Sequence, residues 1–153
     1  MKEEFELKLP DLLYFVKASC HENLHDTLSE LRMMNENKAF PKKLTSFITV
    51  FIQDLQRHLA EEENYLFPFI EKGRSRTTHS SINGLVDEHD KMKLNLLAIR
   101  QMTNNYQQNC EDDVPKSRFY DKLKEMDRIV LNHIQIENHV LFPMLMAELK
   151  LGQ

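Results

Sequence analysis

The chain has 153 residues, 41% apolar and 29% charged, enough for one domain with a buried core and ordinary for a globular protein. A formal net charge of −4 with no basic run argues against a nucleic-acid partner, and no apolar stretch is long enough to span a membrane. The opening MKEEFELKLP lacks the apolar segment of a secretory signal, and Cys20 and Cys110 are too few for a disulfide framework, so a reducing cytoplasm is the expected location.

Only three glycines interrupt the sequence, which favours long helices. The prolines divide it: Pro10, Pro41 and Pro115 each stand where a helical pattern begins, a position that tolerates a missing N–H. Helices are expected at about 11–36, 41–71, 79–108 and 116–149, joined by polar segments. Short joins between long helices imply antiparallel neighbours. The expected fold is therefore an all-α, up-down-up-down antiparallel four-helix bundle forming a single domain over 1–153.

The first helix carries HENLHDTLSELRM from His21. The second has an apolar stripe of Leu44, Phe47, Ile48, Phe51, Leu55, Leu59 and Leu66 at three-four spacing, and His58 and Glu62 fall within it. The third carries HDKMKLNLLAIRQM from His89. The fourth has Met126, Ile129, Val130, Ile134, Val140, Leu141 and Met144, with His133 and Glu137 in the stripe. Pro68 and Pro143, each closing a Leu-Phe-Pro tag, are expected to kink or stop their helices.

These pieces repeat. HLAEEENYLFP at 58–68 matches HIQIENHVLFP at 133–143, and the segment from His21 matches the segment from His89. Two similar helical hairpins packed face to face would have pseudo-twofold symmetry and would bring both His/Glu sets to the centre. His and Glu four apart on a helix lie about 40° apart around the axis, so both reach one point. Unpaired carboxylates in a core without Lys or Arg cost several kcal/mol each, and a metal ion relieves that cost. A ligand set of imidazoles and carboxylates without cysteine suits a carboxylate-bridged pair of transition-metal ions better than a structural zinc. Zinc or manganese in the same cage stays open at this stage.

On CHENLHDTLSEL, HLAEEENYLFP, DEHDKMKLNLLAIR and HIQIENHVLFP, the chain resembles a hemerythrin-like (HHE cation-binding) domain, in particular the di-iron domain of the bacterial repair-of-iron-centres family. The resemblance implies two iron ions joined by an oxo or hydroxo bridge. His21, His58, His89 and His133 would be terminal ligands, and Glu62 and Glu137 would bridge. By analogy with hemerythrin, His21 and His58 would share one iron, and His89 and His133 the other. With a shared bridge, each iron then has five ligands and one open position, which admits a small diatomic (O2 or NO) or a peroxide. The implied role is stress response and repair of iron-sulfur centres. The alternative is an oxygen- or iron-binding sensor or carrier without turnover; the protein partner and electron donor are unspecified. That family carries a small cysteine-containing domain ahead of the di-iron part, whereas helices begin here almost at once.

His25, four residues after His21, could reach the same metal, but it lies further from Leu24, Leu28 and Leu31 on the helical wheel and is read as a surface residue. His21 and His89 are placed nearer the edges of their stripes. His79 is read as a loop residue and His139 as a surface one. The repeat sets Ile136 opposite Glu61, so Glu61 is no equivalent of a ligand.

Overall fold

The computed structural model describes residues 7–71, 79–107 and 113–151, with the backbone alone at 69, 79, 80 and 149–151. Cys110 and the joins at 72–78 and 108–112 lie outside the described residues. The described chain is all-helical, without a strand. It forms four rods: α1 (9–34), α2 (42–71), α3 (79–102) and α4 (114–151). Among the described residues no helix is long and apolar enough to cross a membrane.

The helix starts follow the proline logic. Pro10 and Pro115 occupy the first turn of α1 and α4, and Pro41 is the residue just before α2. Asp113 caps α4, its side chain accepting from the Lys116 N–H. α3 ends at Met102, six residues before the expected 108. There Asn104, Asn105 and Tyr106 take φ of 51°, 58° and 62°, left-handed values that a helix cannot continue. Side-chain bonds hold this turn. The Tyr106 N–H donates to the Thr103 hydroxyl, and the Tyr106 hydroxyl donates to Asp127 of α4. Arg100 grips the same carboxylate with two N–H bonds of 2.7 and 2.6 Å.

Pro68 and Pro143 do not stop their helices. Each follows a widened π-type turn, Glu62–Leu66 and Glu137–Leu141, in which the N–H of Phe67 or Phe142 reaches back five residues to the carbonyl of Glu62 or Glu137. An α-helical turn would press each proline ring against the carbonyl four residues earlier, and the wider turn makes room for it. A third wide turn, Val16–His21, ends at His21 and has no proline to account for it.

Contacts between rods have a consistent order. His21 and His25 of α1 meet Glu63 of α2, and Asn35 beyond the end of α1 donates to the Thr45 carbonyl near the start of α2. Glu30 of α1 pairs with Lys122 of α4 at 2.6 Å. His58 of α2 meets Glu88 of α3, and His89 of α3 meets Asn138 of α4.

Apolar burial falls into two clusters. One runs from Leu24 to Leu31 on α1, Leu44 to Leu59 on α2, Met92 to Ile99 on α3 and Phe119 to Ile134 on α4. The other joins Leu9 to Val16, Leu66 and Phe67, Ile82 and Leu85, and Leu141 to Leu145. Where the two clusters meet, every rod carries buried polar side chains: His21 on α1, His58 and Glu62 on α2, His89 on α3, and His133 and Glu137 on α4. A polar layer is thus sealed between two apolar ones.

Candidate metal centre

Six side chains make this layer. His21, His58, His89 and His133 are at most 2% exposed, and Glu62 and Glu137 are fully buried. His21 and His89, expected nearer an edge, are as deep as the others. The wide turns contribute to this placement: Glu62 and Glu137 each open one and His21 closes one, a common feature of functional sites in helices.

Ligand atoms of His58, Glu62, His89, His133 and Glu137 lie within 4.8 Å of one another. His21 joins from one side, its Nε2 3.6 Å from Glu62 and 3.8 Å from Glu137. Carboxylate oxygens approach His58 Nε2 at 2.9 Å, His133 Nε2 at 2.8 Å and His89 Nε2 at 3.1 Å. Despite this closeness, both oxygens of each glutamate and the Nε2 atoms of His21 and His133 have no hydrogen-bond partner. These atoms converge without a well-formed hydrogen bond between them, and no Lys or Arg is buried among the described residues. Orphaned nitrogen and oxygen donors aimed at a common space fit a cation.

The outer nitrogens explain the orientation of the rings. His21 Nδ1 faces the Glu63 carboxylate at 3.1 Å, His89 Nδ1 faces the Asn138 amide oxygen at 2.7 Å, and His58 Nδ1 faces Glu88. An Nδ1–H donated outward leaves the Nε2 lone pair directed inward. These three acceptors escaped the sequence reading, yet the repeat marks two of them: Glu63 and Asn138 both stand five residues after the histidine of their motif. The Leu-Phe-Pro tags are also accounted for. Phe67 packs against the His21 ring at 5.0 Å, and Phe142 stacks on His89 at 5.7 Å. Leucine joins the second apolar cluster, and the proline follows the wide turn.

Electrostatics follow from geometry. Burial lowers the proton affinity of His58, but Glu62, Glu88 and Glu137 outweigh it and hold the imidazolium to about 9. His133 is likewise depressed by burial but raised well above its ordinary value by Glu137 and Glu62. Burial opposes the charge on Glu137, yet His133, with Glu62 and His21, keeps its carboxyl well below the usual range. Without a cation, protons on imidazole supply the positive charge that the glutamates need.

His25 stays outside the layer. Its side chain is 40% exposed and binds Glu63 at 2.8 Å. His139 is exposed. The backbone at His79 opens α3 and is not a loop. Glu61 does not join the converging set, and burial together with Glu88 pushes its carboxyl up. The shortest ring separations also differ from the hemerythrin analogy. His58 neighbours His89 at 4.8 Å, with Nε2 atoms 3.1 Å apart, and His21 neighbours His133 at 4.7 Å. His89 and His133, expected to share an ion, are 5.7 Å apart.

Comparison with known proteins agrees with this layer. The profile of the hemerythrin HHE cation binding domain matches residues 17–145. The chain is also 28% identical over 147 residues to the iron-sulfur cluster repair protein YtfE of Escherichia coli, in strains K12 / DH10B and HS among others, and of Shigella boydii serotype 18. That alignment spans 91% of this chain and 67% of each relative.

Proposed function

The chain belongs to the hemerythrin HHE cation-binding family, and from that premise we propose that it holds a pair of iron ions and acts on a small diatomic or a peroxide in the repair of iron-sulfur centres under nitrosative or oxidative stress. His21, His58, His89 and His133, with the carboxylates of Glu62 and Glu137, would hold the ions. The supporting fold is an up-down-up-down bundle of two similar hairpins, in keeping with the order of contacts between the rods.

The observation that carries the reading is the set of orphaned inward atoms: Nε2 of His21 and His133 and both oxygens of Glu62 and Glu137, six in all, buried and without a partner. No cysteine joins the converging set, which favours iron or manganese over a structural zinc. A bound iron pair supplies one-electron redox chemistry and coordination positions for a small ligand. The protein supplies the rest. Glu63, Glu88 and Asn138 hold three imidazoles with Nε2 inward. Two apolar clusters, with Phe67 and Phe142 against the rings, keep bulk water from the layer. His25, bound to Glu63, closes no further coordination position. Four imidazoles and two carboxylates would not by themselves fill the coordination of two such ions, which would leave room for a small ligand.

Metal analysis of protein purified without added metal is expected to find about two irons per chain. Anaerobic reduction, followed by oxygen or nitric oxide and read by visible absorption, is expected to give rapid irreversible oxidation or nitrosyl formation with turnover. Reversible oxygenation would replace this reading with carriage or sensing, and metal-free, chelator-indifferent protein would end it.

A further inference from the structure

Three of the four buried imidazoles have a protein acceptor on the outer nitrogen, and the fourth has none among the described residues. Nδ1 of His133 is buried without a partner, and the residue is 1% exposed. The spacing of the repeat identifies what is missing. His21 and His89 are equivalent, so the residues just before them, Cys20 and Glu88, are equivalent too. Glu88 takes Nδ1 of His58. By that equivalence the slot toward His133 falls to Cys20, a buried free thiol on the wide turn that ends at His21. A thiol is a weak acceptor, and it makes no hydrogen bond to the ring.

The inequality falls on one side of the layer. The neighbours His58 and His89 are both backed, by Glu88 and Asn138. Of the neighbours His21 and His133, only His21 is backed, by Glu63. An acceptor behind a ligand imidazole fixes the ring and raises its basicity, and losing one costs about 10–100-fold in metal affinity.

Building on the di-iron reading above, we propose that the two cation positions are inequivalent. The position between His58 and His89 is the tighter one, and the position between His21 and His133 is weaker because Cys20 stands where the other half of the repeat has a carboxylate. Cys20 fills that slot without acting as an anchor: it leaves His133 unbacked, so that one ion of the pair is the more readily exchanged.

The test is stepwise metal binding to the full chain, with manganous ion and with anaerobic ferrous ion, followed by calorimetry; circular dichroism checks each variant for folding. The unaltered chain is expected to show two constants about tenfold or more apart. Glu88→Cys, at a residue one-third exposed and tolerant of change, gives both halves the same weak slot. It is expected to weaken the tighter constant about 10–100-fold and bring the two together. Cys20→Glu is expected to tighten the weaker constant about tenfold, while Cys20→Ala leaves both within about twofold. Two equal constants in the unaltered chain would overturn the inference, as would a folded Glu88→Cys chain with its constants unmoved. Cys20→Ala weakening binding as much as Glu88→Cys would show that the thiol does anchor His133, and would overturn it too. Failure of the unaltered chain to bind either ion would instead sink the di-iron reading on which the inference stands.

Discussion

Metal uptake by this chain is expected to release protons, and the structure sets how many. His58 holds its proton to about 9, because three carboxylates outweigh its burial. At pH 7.5 it is therefore almost wholly an imidazolium in the metal-free protein. His133 is raised well above its ordinary value by Glu137 and Glu62 and so favours the imidazolium too. Glu137 is already ionised and contributes no proton. An imidazole must be neutral to bind a cation, so loading the site expels at least about two protons per chain. Each proton released raises the apparent affinity about tenfold per pH unit, or about 1.4 kcal/mol. The overall constant should thus rise on the order of 100-fold per unit from pH 7 until the His58 value is passed. Anaerobic ferrous titration in weakly buffered solution, with an indicator dye calibrated by added acid, counts the protons directly. The same shift acts on stability in the opposite sense. A folded value raised from 6.5 to about 9 stabilises the metal-free fold fully below about pH 6.5, and that contribution is lost as pH rises through 9. The loss is on the order of 3 kcal/mol, so thermal midpoints of chelated protein should fall across this window while those of the loaded protein hold. Fewer than one proton per chain, with an affinity flat between pH 7 and 8.5, would show that the imidazoles are neutral without metal and would refute the reasoning.

Glu62→Gln and Glu137→Gln should each cut metal content far more than His25→Ala, measured by elemental analysis after dialysis against chelator, because His25 lies outside the layer and is bound to Glu63. Equal losses in all three would place His25 among the ligands. Asp127→Ala should lower the thermal midpoint without changing metal stoichiometry, since it strips Arg100 and Tyr106 of their shared partner. The cost is about 3 kcal/mol, or roughly 6–12 °C for a chain of this size. Leu28→Ala, at a fully buried position of the first apolar cluster, should cost about 2–5 kcal/mol in denaturant unfolding, as cavity-forming changes do. Ferrous ion at 1,000 times its dissociation constant should restore about 4 kcal/mol to any of the folded variants that keep the six ligands.

Some of this protein is determined by sequence alone. Three-four spacing of leucines and isoleucines sets four helices, because each apolar stripe must be buried against another, and the prolines at 10, 41 and 115 mark where three of them begin. The repeated His-x-x-x-Glu points to a cation, because among the described residues no Lys or Arg accompanies the two carboxylates into the core. Other features depended on contacts between distant segments. The end of α3 at Met102 is set by Asp127, twenty-five residues further on, which anchors Tyr106 and Arg100 while three residues adopt left-handed backbone. The depth of His21 and His89 comes from packing against Phe67 and Phe142 on other rods, so a single helical wheel places them at an edge. Whether a proline breaks a helix or follows a widened turn depends on whether the surrounding core holds that turn in place. The carboxylates and amide that orient the imidazoles come from neighbouring rods. Sequence can mark their positions in a repeat, but only the packed bundle brings a side chain of α2, α3 or α4 to the back of a ring on another helix.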